Sequence, residues 1–87
     1  MNSYAVTMGK WVCQNSAMTA HEAVIKACVM RLIELDQHPM LIDSFEIKEL
    51  PVPANVSLLT QRFDLFAAWD EGARLRWQKV SVTEVRA

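Results

Sequence analysis

A chain of 87 residues, 52% of them hydrophobic, carries enough apolar material for one packed core and too much for a disordered segment. A domain of this size buries only about 60–65% of the surface its unfolded form exposes, so its stability is thin and a second domain is excluded. Nine basic residues against ten acidic ones leave a net charge of −1, which argues against a general electrostatic grip on nucleic acid, because that needs a basic face.

Met1-Asn2-Ser3-Tyr4 has neither a basic n-region nor an apolar h-region, so no signal peptide is expected. The apolar runs fall far short of the ~20 residues that a membrane-spanning helix requires. Cys13 and Cys28, without a secretion signal, are expected to stay reduced in a cytoplasm. There are no internal repeats or low-complexity tracts.

Tyr4 to Gln14 reads as extended chain, with Gly9-Lys10 breaking the run. Gly9 at the first position of a two-residue turn gives a type II′ hairpin, in which Met8 faces Trp11 and Val6 faces Cys13. The alternative is a single long strand with Gly9 at a bulge.

The stretch Thr19–Leu35 has the clearest helix start. Thr19 and Glu22 have the T-x-x-E spacing of a capping box. The Thr19 hydroxyl accepts from the N–H of Glu22, and the Glu22 carboxylate reaches back to the N–H of Thr19. At 100° per residue, Val24, Ile25, Cys28, Val29, Leu32 and Leu35 fall within about 140° of arc, a face for a sheet. Glu22 and Lys26 form a favourable i,i+4 pair. Met30 and Ile33 interrupt the polar side carrying Glu22, Lys26, Arg31 and Glu34. Pro39 requires the helix to stop at or before His38.

Met40-Leu41-Ile42 is too short to assign by period. Phe45 to Leu50 alternates, with Phe45 and Ile47 on one side and Glu46 and Lys48 on the other, as in a strand solvated on one face. Pro51 and Pro53 end it, and Pro51 to Thr60 is the most loop-like stretch.

Phe63 to Val82 carries the strongest strand signal. Asp70-Glu71-Gly72 suits a three-residue hairpin loop with Gly72 in the left-handed region. Pairing Trp69 with Ala73 places Ala67 opposite Leu75, Leu65 opposite Trp77, and Phe63 opposite Lys79. One face then collects Phe63, Leu65, Ala67, Trp69, Leu75 and Trp77, and the other collects Asp64, Phe66, Ala68, Arg74, Arg76 and Gln78. Beyond Gln78 the apolar phase moves to Val80 and Val82, which predicts a bulge at Gln78–Val80 or a change of neighbour. A helix over Ser57–Trp69 is the rival reading, weakened by Arg62 on its apolar side.

The expected fold is therefore α+β, in the order β-β-α-β-β-β. It is a mostly antiparallel sheet of four or five strands in a single domain, with one helix packed on one face.

Motifs for chemistry are scarce. His21-Glu22 begins an H-E-x-x-H zinc motif, but Ile25 holds the place of the second histidine. Cys13, Cys28, His21 and His38 lack the paired close spacings of a structural zinc site. Both cysteines read as small buried side chains; a Cys13–Cys28 disulfide fits a strand under a helix but not the compartment. His21 precedes Cys28 by roughly 10 Å of helix, too far for a nucleophile and its base. With only Gly9 and Gly72, no phosphate-cradling loop exists. Arg74 and Arg76 near Phe66 read as ordinary cross-strand neighbours before they read as a single-stranded nucleic-acid patch.

No catalytic, cofactor or metal site is expected. The reading that fits best is a non-enzymatic protein–protein interaction module that self-associates, a profile suited to small accessory or inhibitor proteins of mobile elements. Its interface candidates are Met30 and Ile33, which stand apolar on a polar helix side, and Trp69 and Trp77, large side chains suited to anchoring. The alternatives are a small-molecule pocket between helix and sheet, and a small enzyme using His21 or His38.

Overall fold

The computed structural model describes residues 1–35, 42–69 and 74–85, and the side chains within them other than those of 42–45, 67–69 and 74–78. The elements are β1 (Asn2–Met8), β2 (Trp11–Ala17), α1 (Ala20–Glu34), β3 (Ile42–Leu50), β4 (Thr60–Trp69) and β5 (Arg74–Val85). The strands form one five-stranded sheet in the order β2-β1-β5-β4-β3, and every neighbouring pair is antiparallel. The expected α+β fold is therefore the one observed. No helix among the described residues is long and apolar enough to cross a membrane.

The first hairpin has the expected register, Val6 opposite Cys13 and Met8 opposite Trp11. Gly9 has φ +62, whereas Lys10 is not left-handed. A positive φ confined to the first turn residue is the type II′ pattern, whose twist matches that of the strands.

Residues 60–69 form a strand, which excludes the rival helix. Its start is set by a turn: Ser57 accepts from Leu59 through its side chain at 3.2 Å and from Thr60 through its carbonyl at 3.0 Å. Leu65 pairs with Trp77 and Ala67 with Leu75, as expected. Phe63, however, pairs with Val80 rather than Lys79. The two steps from Phe63 to Leu65 in β4 thus match three steps from Val80 to Trp77 in β5, and the extra residue is accommodated at Lys79, whose φ is +60. This is the bulge that the phase change demanded. It returns Val80 and Val82 to the face of Phe63 and Leu65, and all four are buried. The Asp70-Glu71-Gly72 loop lies outside the described residues.

The core lies between this face and α1. It joins Tyr4, Val6 and Met8 of β1 to Ala17, to Ala20, Ala23, Val24, Ala27, Cys28 and Leu32, and to the β4–β5 residues above. The helix is rolled relative to the expected arc. Val24, Cys28 and Leu32 are buried, but Ile25 and Val29 are half-buried and Leu35 is exposed. Ala20, Ala23 and Ala27 take their place against the sheet. Alanine's methyl group is too small to hold the helix away, so the backbone can approach the strands closely and the larger residues move to the flank.

Capping is also only partly as expected. Thr19 Oγ1 accepts from the Glu22 N–H at 3.2 Å, but the Glu22 carboxylate pairs with Lys26 at 3.2 Å instead of reaching back. At the other end the Leu35 N–H donates to the Arg31 carbonyl at 3.0 Å, within the limit set by Pro39.

Candidate interaction surface

Strand β2 is one edge of the sheet, and α1 lies along it. Three side chains tie them together. Lys26 Nζ donates to the Ser16 carbonyl at 2.6 Å, Asn15 Nδ2 donates to the Ala23 carbonyl at 3.2 Å, and Trp11 Nε1 donates to Glu34 Oε2 at 2.6 Å. Arg31 reaches the same carboxylate at 3.2 Å and holds its guanidinium carbon 5.6 Å from the Trp11 ring centre. Lys26, Met30 and Glu34 form an i, i+4, i+8 row, so they share one side of the helix, and both ends of the row touch β2. The junction has a cost, because Asn15 Oδ1 and Arg31 Nε are buried without a hydrogen-bond partner.

Several large apolar side chains of β2 and α1 are exposed, on both faces of the sheet edge. Met30 is 39% exposed and Ile33 62%, both in the last turns of α1, and Leu35 just past its end is 43% exposed. Val12 is 59% exposed on the sheet face opposite the helix, and Met18 is exposed just before the cap. Met30 and Ile33, the apolar residues on the polar side of the helix, are exposed to solvent. Leu58, in the turn before β4, is itself fully exposed. Trp69 ends β4 and Trp77 lies in β5, and their side chains are outside the described set. Trp11, the third tryptophan, is half-buried against the core.

The exposure of Val12 has a signal in the sequence. One helix covers one face of a sheet, so the strand position beside Cys13 had to face away from it.

Elsewhere among the described residues two depressions are found. A depression of about 420 Å³ is lined by Glu46, Ile47, Lys48, Asp64 and Phe66. Another of about 370 Å³ borders the turn region, where Val52, Pro53, Val56 and Leu58 contribute. Neither lies between helix and sheet.

Both cysteines are free. Burial pushes the Cys28 thiol up to about 11. Burial also raises Cys13, helped by the negative charge of Glu34 and opposed by a hydrogen bond from Asn15. His21 sits edge-on to Phe63, with ring centres 5.0 Å apart, and His38 lies outside the described residues. Among the described residues, no three His, Cys, Asp or Glu side chains are grouped as a metal ion would require. Comparison with protein-family models, with curated proteins and with solved structures found no match to this chain.

Proposed function

We propose that the protein is a self-associating interaction module without catalytic chemistry, and that it binds through the β2–α1 side of the domain. The observation that carries this reading is the exposed apolar pair Met30 and Ile33, on adjoining sides of α1 near its end, on the helix that flanks the edge strand β2. Grouped apolar side chains in solvent mark contact sites, whereas scattered ones do not.

Sedimentation and light scattering across a concentration series test it. The native chain is expected to associate. The Met30→Lys/Ile33→Lys variant is expected to keep its circular dichroism and dissociate, because neither side chain belongs to the core. A strict monomer up to about 1 mM, a concentration at which even an interaction worth only ~4 kcal/mol is half-formed, sinks the self-association reading.

A further inference from the structure

The two edges of the sheet differ in chemistry. The β3 edge carries Asp43, Glu46, Lys48 and Glu49 in nine residues, has a register shift between Ile42 and Ser44, and is followed by Pro51. Charge, bulge and proline are the devices that keep an edge from pairing with another chain. The β2 edge, Trp-Val-Cys-Gln-Asn-Ser-Ala, has none of them.

Its backbone groups are also placed to pair. Met8 and Trp11 close a two-residue turn, so they form a hydrogen-bonded pair. Trp11, Cys13, Asn15 and Ala17 then direct their amides to β1, and Val12, Gln14 and Ser16 direct theirs outward. The Ser16 carbonyl is already taken by Lys26. The open positions are Val12 and Gln14, which lie symmetrically about Cys13.

We infer that β2 pairs antiparallel with β2 of a second copy about a twofold axis at Cys13, making one continuous ten-stranded sheet. This inference rests on the self-association reading and names its partner and mode. Val12 of each copy lies opposite Gln14 of the other, and neither strand brings a charge to the junction. The axis also organises the helices. Lys26 stands over Ser16 and Glu34 over Trp11, so Met30, midway between them in the row, stands over the middle of β2. A twofold axis there runs the two helices antiparallel, with Met30 facing Met30 and Lys26 of each copy facing Glu34 of the other. With strands ~4.8 Å apart and each helix set about one strand inside the junction, the helix axes lie about 10–15 Å apart, close enough for these side chains to meet. The charge order along the row is therefore self-complementary only in this antiparallel arrangement.

Sedimentation of the full chain tests the inference with two edge variants and one charge exchange. Val12→Pro removes an outward N–H and leaves the β1 ladder intact. Val12→Glu/Gln14→Glu places carboxylates opposite each other across the junction while altering only exposed side chains, so it serves even where the proline variant fails to fold. Each is expected to weaken the dimer by at least about tenfold. Lys26→Glu is expected to weaken it as well, and adding Glu34→Lys to that variant is expected to restore part of the loss, because the exchanged charges again face their opposites. A dimer that persists unchanged in Val12→Glu/Gln14→Glu overturns the edge-pairing mode but leaves the interaction module standing. A native chain that never associates overturns both.

Discussion

Trp11, the first residue of the edge strand, donates its indole N–H to the carboxylate of Glu34, the last residue of the helix, at 2.6 Å. This bond, with Arg31 stacked on the same ring, fixes the angle at which the helix leaves the sheet. Trp11→Phe keeps the ring and removes the donor, and is expected to cost about 0.5–1.5 kcal/mol in urea unfolding. Trp11→Ala also loses the packing and the stacked guanidinium, and is expected to cost about 3 kcal/mol. Equal losses for the two variants would show that the hydrogen bond, and not the ring, holds the junction.

Ala23 and Ala27 have no exposed surface and set the spacing between helix and sheet. Ala27→Leu forces that spacing open and is expected to destabilise by about 1–3 kcal/mol. Ile25→Ala, on the half-buried flank, is expected to cost less than a fully buried isoleucine would. Chemical denaturation of the two variants checks the order. A stabilised Ala27→Leu would mean that the helix sits further from the strands than these alanines imply.

Lys79 has φ +60 at the β5 bulge, and its side chain is exposed. A non-glycine residue in this region carries about 1–2 kcal/mol of strain. Lys79→Gly relieves it and is expected to raise stability by up to about 1 kcal/mol once the added freedom of the unfolded chain is deducted. Lys79→Val, β-branched in the same conformation, is expected to lower it by about 1 kcal/mol or more. Thermal melts of both variants read the difference. A stabilised valine variant would rule out the left-handed bulge.

Cys28 holds its proton up to about pH 11, against an ordinary value of 9.0, because burial disfavours the thiolate. The unfolded chain releases this proton first as pH rises, so the unfolded state binds fewer protons between the two values and stability falls there. The contribution is fully present below pH 9 and is lost as pH climbs from about 9 to 11. Cys28→Ala should flatten that part of the stability profile. In the native state a thiol-specific reagent is expected to label Cys13, which is half-buried, well before Cys28. Labelling of Cys28 first would contradict the packing of α1 on the sheet.

The elements that could be read from sequence are those whose signals are local. Gly9 marked the first turn, and its register followed from Met8, Val6, Trp11 and Cys13. The step from Trp77 to Val80 marked the bulge, since a strand cannot change face without an extra residue. Thr19 marked the helix start. The roll of the helix was not legible, because alanines look neutral on a hydrophobicity count although their small size decides which side fits closest. Strand order was not legible either, because β1 beside β5 leaves no mark in either segment. For the candidate surface, Met30 and Ile33 stood out against Lys26, Arg31 and Glu34. Val12 did not, since an isolated valine in a strand looks like any core residue until the covered face is known.

The ladder at the middle of the sheet joins Ser3 to Val85 and Thr7 to Ser81. Both neighbouring hairpins close over short distances, but this ladder joins strands about 80 residues apart and closes only once β5 has been made. During synthesis the first hairpin and its helix can form early, yet they have no central strand to rest on until β5 emerges. Folding is thus gated by β5, with the slow, entropy-limited search that distant strand pairing entails. Ribosome-bound chains ending before β5 should be open to protease and gain resistance in a single step once it is released.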